Sequence, residues 1–80
     1  MKLEYKRQAI KDLTKLSLPQ KKKITKKLEI LAQDPLAGKP LKGQLKNFYS
    51  LRAWPYRIIY QKLSRKIVIQ AITHRQTAYN

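Results

Sequence analysis

The spacing of apolar and polar positions changes period along the chain. Residues 2–5 (Lys-Leu-Glu-Tyr) alternate, as a short strand does. From about residue 7 the period lengthens: Ala9, Leu13 and Leu16 fall at i, i+4 and i+7 with Ile10 flanking, which predicts an amphipathic helix. Ser17 and then Pro19 follow, and proline suits the first turn of a new helix. Ile24, Leu28 and Leu31 repeat the helical spacing with Ala32 alongside, and Asp34-Pro35 ends it, because a residue before proline avoids the helical region. Two helices joined by about two residues make an antiparallel hairpin. Residues 35–47 hold Pro35, Gly38, Pro40 and Gly43 and are expected to form a loop carrying Lys39, Lys42 and Lys46. Three short segments rich in aromatic and β-branched residues come next, at about 48–53, 56–62 and 66–73. The breaks between them, Trp54-Pro55 and Ser64-Arg65, are short enough for antiparallel hairpins. The pattern therefore predicts an α+β domain over residues 1–80, in the order β-α-α-β-β-β. Its helical hairpin should pack on one face of a small antiparallel sheet.

Alternation divides each strand between two faces. Tyr49, Leu51 and Ala53 oppose Phe48, Ser50 and Arg52; Tyr56, Ile58 and Tyr60 oppose Arg57, Ile59 and Gln61. The helices must cover the apolar set, so Arg52 and Arg57 are expected to share the open face. A two-residue turn would set them directly across from each other, where like charges destabilise a sheet; a bound anion would offset that repulsion. Pro55 argues against so tight a turn, since proline is disfavoured at its second central position. In the last strand Ile67, Ile69 and Ala71 alternate with Val68, Gln70 and Ile72, apolar on both sides as in a central strand, and His74 and Arg75 follow at its end.

Charge sharpens this picture. Nineteen Lys and Arg face only Glu4, Asp12, Glu29 and Asp34, a formal net charge of +15 on 80 residues. Such an excess repels itself in the compact state and commonly meets nucleic acid, an acidic protein or an anionic surface. The helical lysines, such as Lys11 and Lys15 or Lys22 and Lys26, are read as a solvated face. There is no cysteine, which fits a reducing compartment, and no apolar run approaches the ~20 residues that span a membrane. A cytoplasmic protein is expected.

Arginine binds phosphate through a planar fork of donors. Several around one phosphate stabilise the charge that develops during phosphoryl transfer. No protein nucleophile and no metal-ligand cluster stand out, and no cofactor is implied. On an RNA substrate the natural nucleophile is its own 2′-hydroxyl. His74 is the one histidine, the residue type that most readily exchanges protons near neutrality. Tyr79 and the loop lysines are further candidates where neighbouring positive charge favours proton loss. Each has a structural alternative: a histidine at a strand end and a tyrosine at a terminus both serve packing. Among the aromatics, Tyr49 and Tyr56 belong to the core, whereas Trp54, beside a turn, is the better platform for stacking a base.

The order of elements resembles the RelE/ParE toxins of type II toxin–antitoxin systems. So do Pro-Leu-Lys-Gly at 40–43, Phe-Tyr-Ser-Leu-Arg at 48–52, Tyr-Arg-Ile-Ile-Tyr at 56–60 and His-Arg-x-x-x-Tyr at 74–79. The resemblance covers essentially the whole chain and is closest to RelE-like mRNA interferases. It implies a metal-independent endoribonuclease that enters the ribosomal A site and cleaves mRNA by 2′-hydroxyl attack, inhibiting translation. On it, Arg57 and Arg75 take the phosphate and transition-state charge, Arg52 the phosphate or a proton relay, and Tyr79 base stacking or proton transfer. Lys42 and Lys46 fall in the family's basic loop. Ser50 stands where many members carry another basic residue, which leaves the general base open, with His74 a candidate substitute. The resemblance also implies a cognate RelB-like antitoxin whose acidic, amphipathic segment wraps this surface. The alternatives are a ParE-like poison of DNA gyrase and a catalytically inactive RNA-binding relative.

Overall fold

The computed structural model describes residues 1–41 and 47–74. Strand β1 (Lys2–Tyr5) leads into helix α1 (Arg7–Thr14) and helix α2 (Leu18–Gln33), followed by β2 (Lys39–Pro40), β3 (Phe48–Ala53), β4 (Tyr56–Lys62) and β5 (Lys66–His74). The five strands form one sheet in the order β1-β5-β4-β3-β2. β3, β4 and β5 pair antiparallel as expected. β1, however, joins β5 in parallel, so the sheet is mixed at that edge. The two helices carry the chain from β1 at one edge to β2 at the other, and β3, β4 and β5 return across the sheet to meet β1.

The helix boundaries follow the sequence signals. Ser17 is the N-cap of α2 in an extended conformation, with proline in the first turn, and Asp34 closes its C-terminus. Ala9, Leu16, Ile24, Leu28 and Leu31 form the helical half of the core. Ile58, Tyr60, Ile67, Ile69 and Ile72 form the sheet half, with Tyr49, Leu51 and Tyr56 packed against it. Each fully buried aliphatic side chain is worth about 1.5–3 kcal/mol, and in a chain of 80 residues these few positions hold most of the fold.

Four local features depart from the sequence pattern. The segment expected to be a loop contains β2, whose Lys39 and Pro40 pair with Ser50 and Tyr49; two residues are too few to show a period. Tyr60 ties this segment down. Its hydroxyl donates to the Pro35 carbonyl at 2.9 Å and accepts from the Gly38 N–H at 3.0 Å. Gly38 sits so close that a Cβ there would lie 2.7 Å from the Tyr60 Oη and 2.9 Å from the Ser50 carbonyl oxygen.

The second departure is the β3–β4 turn. Trp54 and Pro55 do form a two-residue connection, through a cis peptide bond, the form in which proline takes the second central position. Third, the β4–β5 ladder shifts register between Ile59 and Tyr60: Ile59 pairs with Ala71 but Tyr60 pairs with Ile69. This bulge moves Ile72 onto the core face opposite Ile58 and Ala71 onto the open face, reversing the strict alternation expected for those two residues.

Fourth, β1 pairs with β5 only from Lys66 to Ile69. Beyond it Asp12 of α1 takes over, its Oδ2 accepting the Ile72 N–H at 2.9 Å while Oδ1 accepts from Gln8 at 2.8 Å. A carboxylate thus satisfies a strand N–H that the ladder leaves over.

Candidate functional site

Residues directly opposite one another in a ladder share a face. Arg52 pairs with Arg57, and Arg57 pairs with Thr73, so these three form one row across the open face. The next row runs Lys39, Ser50, Ile59, Ala71. The two-residue turn at Trp54-Pro55 sets the arginines face to face. It forces both to project from the same side at the tip of the hairpin.

A cleft of about 420 Å³ opens beside this pair, lined by Ala37, Gly38, Lys39, Pro40, Leu41, Ser50, Leu51, Arg52 and Arg57. β2 and the segment leading into it make its wall. Its described lining holds three cations and no carboxylate side chain. Tyr60 acts here from the core: by anchoring Pro35 and Gly38 it fixes where Lys39 stands relative to Arg52. Burial pushes the Tyr60 phenol above its ordinary pKa, the Gly38 N–H partly opposes this, and nearby Tyr49 and Asp34 add to the rise.

Ser50 shares the arginine face yet is only 8 % exposed, flanked by β2 on one side and β4 on the other. Its Oγ has no hydrogen-bond partner among the described residues, and neither does the Oγ1 of Thr73 beside Arg57. Two buried hydroxyls that have no partner among the described residues therefore flank the arginine pair. Sequence patterning does not single out Thr73: strict alternation sets it on the side of Ile67 and Ile69, and the bulge moves it into the arginine row.

Trp54 stands at the hairpin tip, 53 % exposed. The Arg52 guanidinium lies 5.9 Å from its ring centroid, and its carbonyl accepts from the Lys23 Nζ at 2.8 Å. His74 is elsewhere. It pairs with Tyr56, on the core-facing side, and meets that ring edge-on at 5.3 Å between centroids. There it borders a depression between α1 and β5 that also includes Asp12 and Lys15. The sheet thus separates His74 from the arginine row, whereas the sequence had suggested that it could reach over the strand end. Lys42, Lys46, Arg75 and Tyr79 lie outside the described residues. Of the expected site, the structure brings together Lys39, Ser50, Arg52 and Arg57, with Trp54 adjoining.

A helical hairpin on a five-stranded sheet whose open face carries opposed arginines defines a small basic α+β protein with a cationic sheet face. More particularly, residues 3–79 match the family model of the ParE toxin of type II toxin–antitoxin systems, parDE, and the chain belongs to that family. Among solved structures it is similar to the toxin–antitoxin complex RelBE2 from Mycobacterium tuberculosis, at 28% identity and a TM-score of 0.82, covering 92% of this chain and 96% of that one. It is similar to the isolated RelE toxin of E. coli at 26% identity and a TM-score of 0.78, over 98% and 89% of the two chains. The chromosomal ParDE system of P. aeruginosa shares the fold at 19% identity and a TM-score of 0.74, over 92% and 95%. No curated protein matches the sequence. The chain is therefore a RelE/ParE superfamily toxin of a type II toxin–antitoxin system. No helix among its described residues is long and apolar enough to cross a membrane.

Proposed function

We propose that this toxin is a ribosome-dependent mRNA endoribonuclease, metal-independent and acting in the cytoplasm, which enters the ribosomal A site and stops translation by cutting the message. The observation that carries this reading is the row Arg52–Arg57 beside Lys39, three cations that line one cleft on the sheet face. In the reaction the 2′-hydroxyl attacks the adjacent phosphorus, the bond to the 5′-oxygen breaks, and a 2′,3′-cyclic phosphate and a 5′-hydroxyl result. Negative charge gathers on the non-bridging oxygens, where two guanidinium forks stabilise it. Arg75 adds to that charge stabilisation, and Tyr79 stacks on a base or moves a proton. His74, on the other side of the sheet, is poorly placed for proton transfer.

The experiment is to map cleavage sites on translated mRNA for the wild type, Arg57→Ala and Tyr79→Phe. Cleavage by the wild type that Arg57→Ala abolishes supports the reading; intact message with the wild type overturns it. RNA binding without cleavage would instead fit an inactive relative, consistent with Ser50 at a position where many members are basic.

A second reading is favoured by the family match itself, which is to ParE. A gyrase poison needs the fold but not an RNA-cleaving cluster, and gyrase-dependent DNA breaks in the presence of the protein would establish it. Under either reading the partner is a cognate antitoxin with an acidic, amphipathic segment. The RelB–toxin assembly of the M. tuberculosis neighbour supports this, as does the charge of +15.

A further inference from the structure

We propose that the indole of Trp54 is the base platform of the arginine cleft: a nucleotide whose phosphate is held by Arg52 and Arg57 lays its base on the hairpin tip. The proposal rests on the reading of this face as an RNA site and adds a base subsite to it.

Three observations converge on the tip. Trp54 is 53 % exposed, although the neighbouring Ala53 is buried in the core. About half of the indole surface is open to an incoming group, and nucleobases stack on aromatic and guanidinium planes alike. The ring also sits on a constrained backbone. Two residues close the hairpin, the Trp54 carbonyl is held by Lys23 from α2, and the Arg52 guanidinium lies 5.9 Å from the ring centroid. A platform ordered before binding loses little freedom when the base arrives. Finally, Arg52 belongs to both subsites: it lines the cleft beside Arg57 and it approaches the indole. Phosphate and base are thus offered adjoining positions, one guanidinium apart, as in a single nucleotide. Lys23 and Arg52 place positive charge on both sides of the tip, which favours a polyanionic strand over an apolar protein partner.

Trp54 is the only tryptophan in the chain, so its fluorescence reports on this subsite alone. The wild type is titrated with a short unstructured oligoribonucleotide, with an abasic oligonucleotide of the same length and with inorganic polyphosphate. The expected result is quenching by the oligoribonucleotide and little change with the two base-free polyanions, although all three bind. Trp54→Leu should lose about tenfold in affinity for the oligoribonucleotide, keep its affinity for polyphosphate and keep its melting temperature. Trp54→Phe should recover part of the loss. Binding of RNA with unchanged Trp54 emission overturns the proposal, as does Trp54→Leu binding RNA like the wild type. If Trp54→Leu binds RNA normally but escapes an acidic antitoxin peptide, the tip is a protein contact and the proposal falls. Base-dependent quenching with intact mRNA on ribosomes would refute the nuclease reading and leave the platform standing. Cleavage without quenching would do the reverse, and failure to bind RNA at all would overturn both.

Discussion

Arg52 and Arg57 stand directly opposite each other across the β3–β4 hairpin, with Thr73 of β5 next in the same row. Folding gains nothing by placing two like charges at that spacing; opposed like charges cost a sheet a few tenths to about 1 kcal/mol. Arg52→Gln is therefore expected to leave stability within about 0.5 kcal/mol of the wild type, or to raise it slightly. The same change should weaken RNA binding and flatten its salt dependence by about one phosphate contact. Denaturant melts and binding titrations at several salt concentrations measure the two effects; an unchanged salt slope would remove Arg52 from the phosphate site.

Ser50 offers a way to separate fold from function. Its buried Oγ lacks a partner among the described residues, so Ser50→Ala should cost little stability or even add some. If the hydroxyl is kept for a ligand, the variant loses RNA affinity while its melting temperature holds. A variant equal to the wild type in both respects would show Ser50 to be filler.

Tyr60 couples the core to the cleft wall. Tyr60→Phe leaves the Gly38 N–H and the Pro35 carbonyl without their partner and should cost about 1–3 kcal/mol. The raised phenol pKa adds a pH signature. Because the folded-state value lies above the ordinary one, its stabilisation is complete below about pH 10. It is lost as pH rises through the folded-state pKa. Alkaline denaturation of the wild type should include this step, and Tyr60→Phe should lack it.

Gly38→Ala tests the same anchor from the other side. The new methyl would meet the Tyr60 Oη at 2.7 Å and the backbone oxygen of Ser50 at 2.9 Å. Since backbone yields poorly, a loss of about 1–3 kcal/mol is expected. Displacing Gly38 also displaces Lys39, so RNA binding should fall further than stability alone explains. A variant as stable as the wild type would show the segment to be more yielding than its contacts indicate.

Asp12 closes the far end of the sheet. Asp12→Ala strands the Ile72 N–H, which Asp12 accepts at 2.9 Å, and should cost about 1–3 kcal/mol. Hydrogen exchange at the Ile72 amide is the direct readout: faster exchange is expected in the variant, and an unchanged rate would mean that another acceptor takes over.

Much of this was legible in the residues. The helical stripes Ala9, Leu13, Leu16 and Ile24, Leu28, Leu31 name the core-facing sides of both helices, because burial of apolar surface and a 3.6-residue period leave little choice. The alternation in 48–53 and 56–62 likewise assigns Arg52 and Arg57 to the open face, since each strand has only one apolar side to give to the helices. The segments resembling a known toxin family pointed to the superfamily that the match over residues 3–79 establishes.

Other features depended on contacts between segments distant in the chain. β2 exists because Lys39 and Pro40 meet β3, not because two residues carry a pattern. The bulge after Ile59 exchanged the faces of Ala71 and Ile72 and thereby put Thr73 beside Arg57 and His74 beside Tyr56. No periodicity reveals a single inserted residue, yet one such residue decides the face of everything beyond it. Ser50 looked open on its strand and is buried because β2 runs alongside. Local geometry is enough to sort charged from apolar positions and to assign the two sides of β3 and β4. Which of those sides meet, and which way β5 faces beyond its bulge, rest on strand register and edge pairing, and these are set by neighbours that the local sequence does not contain.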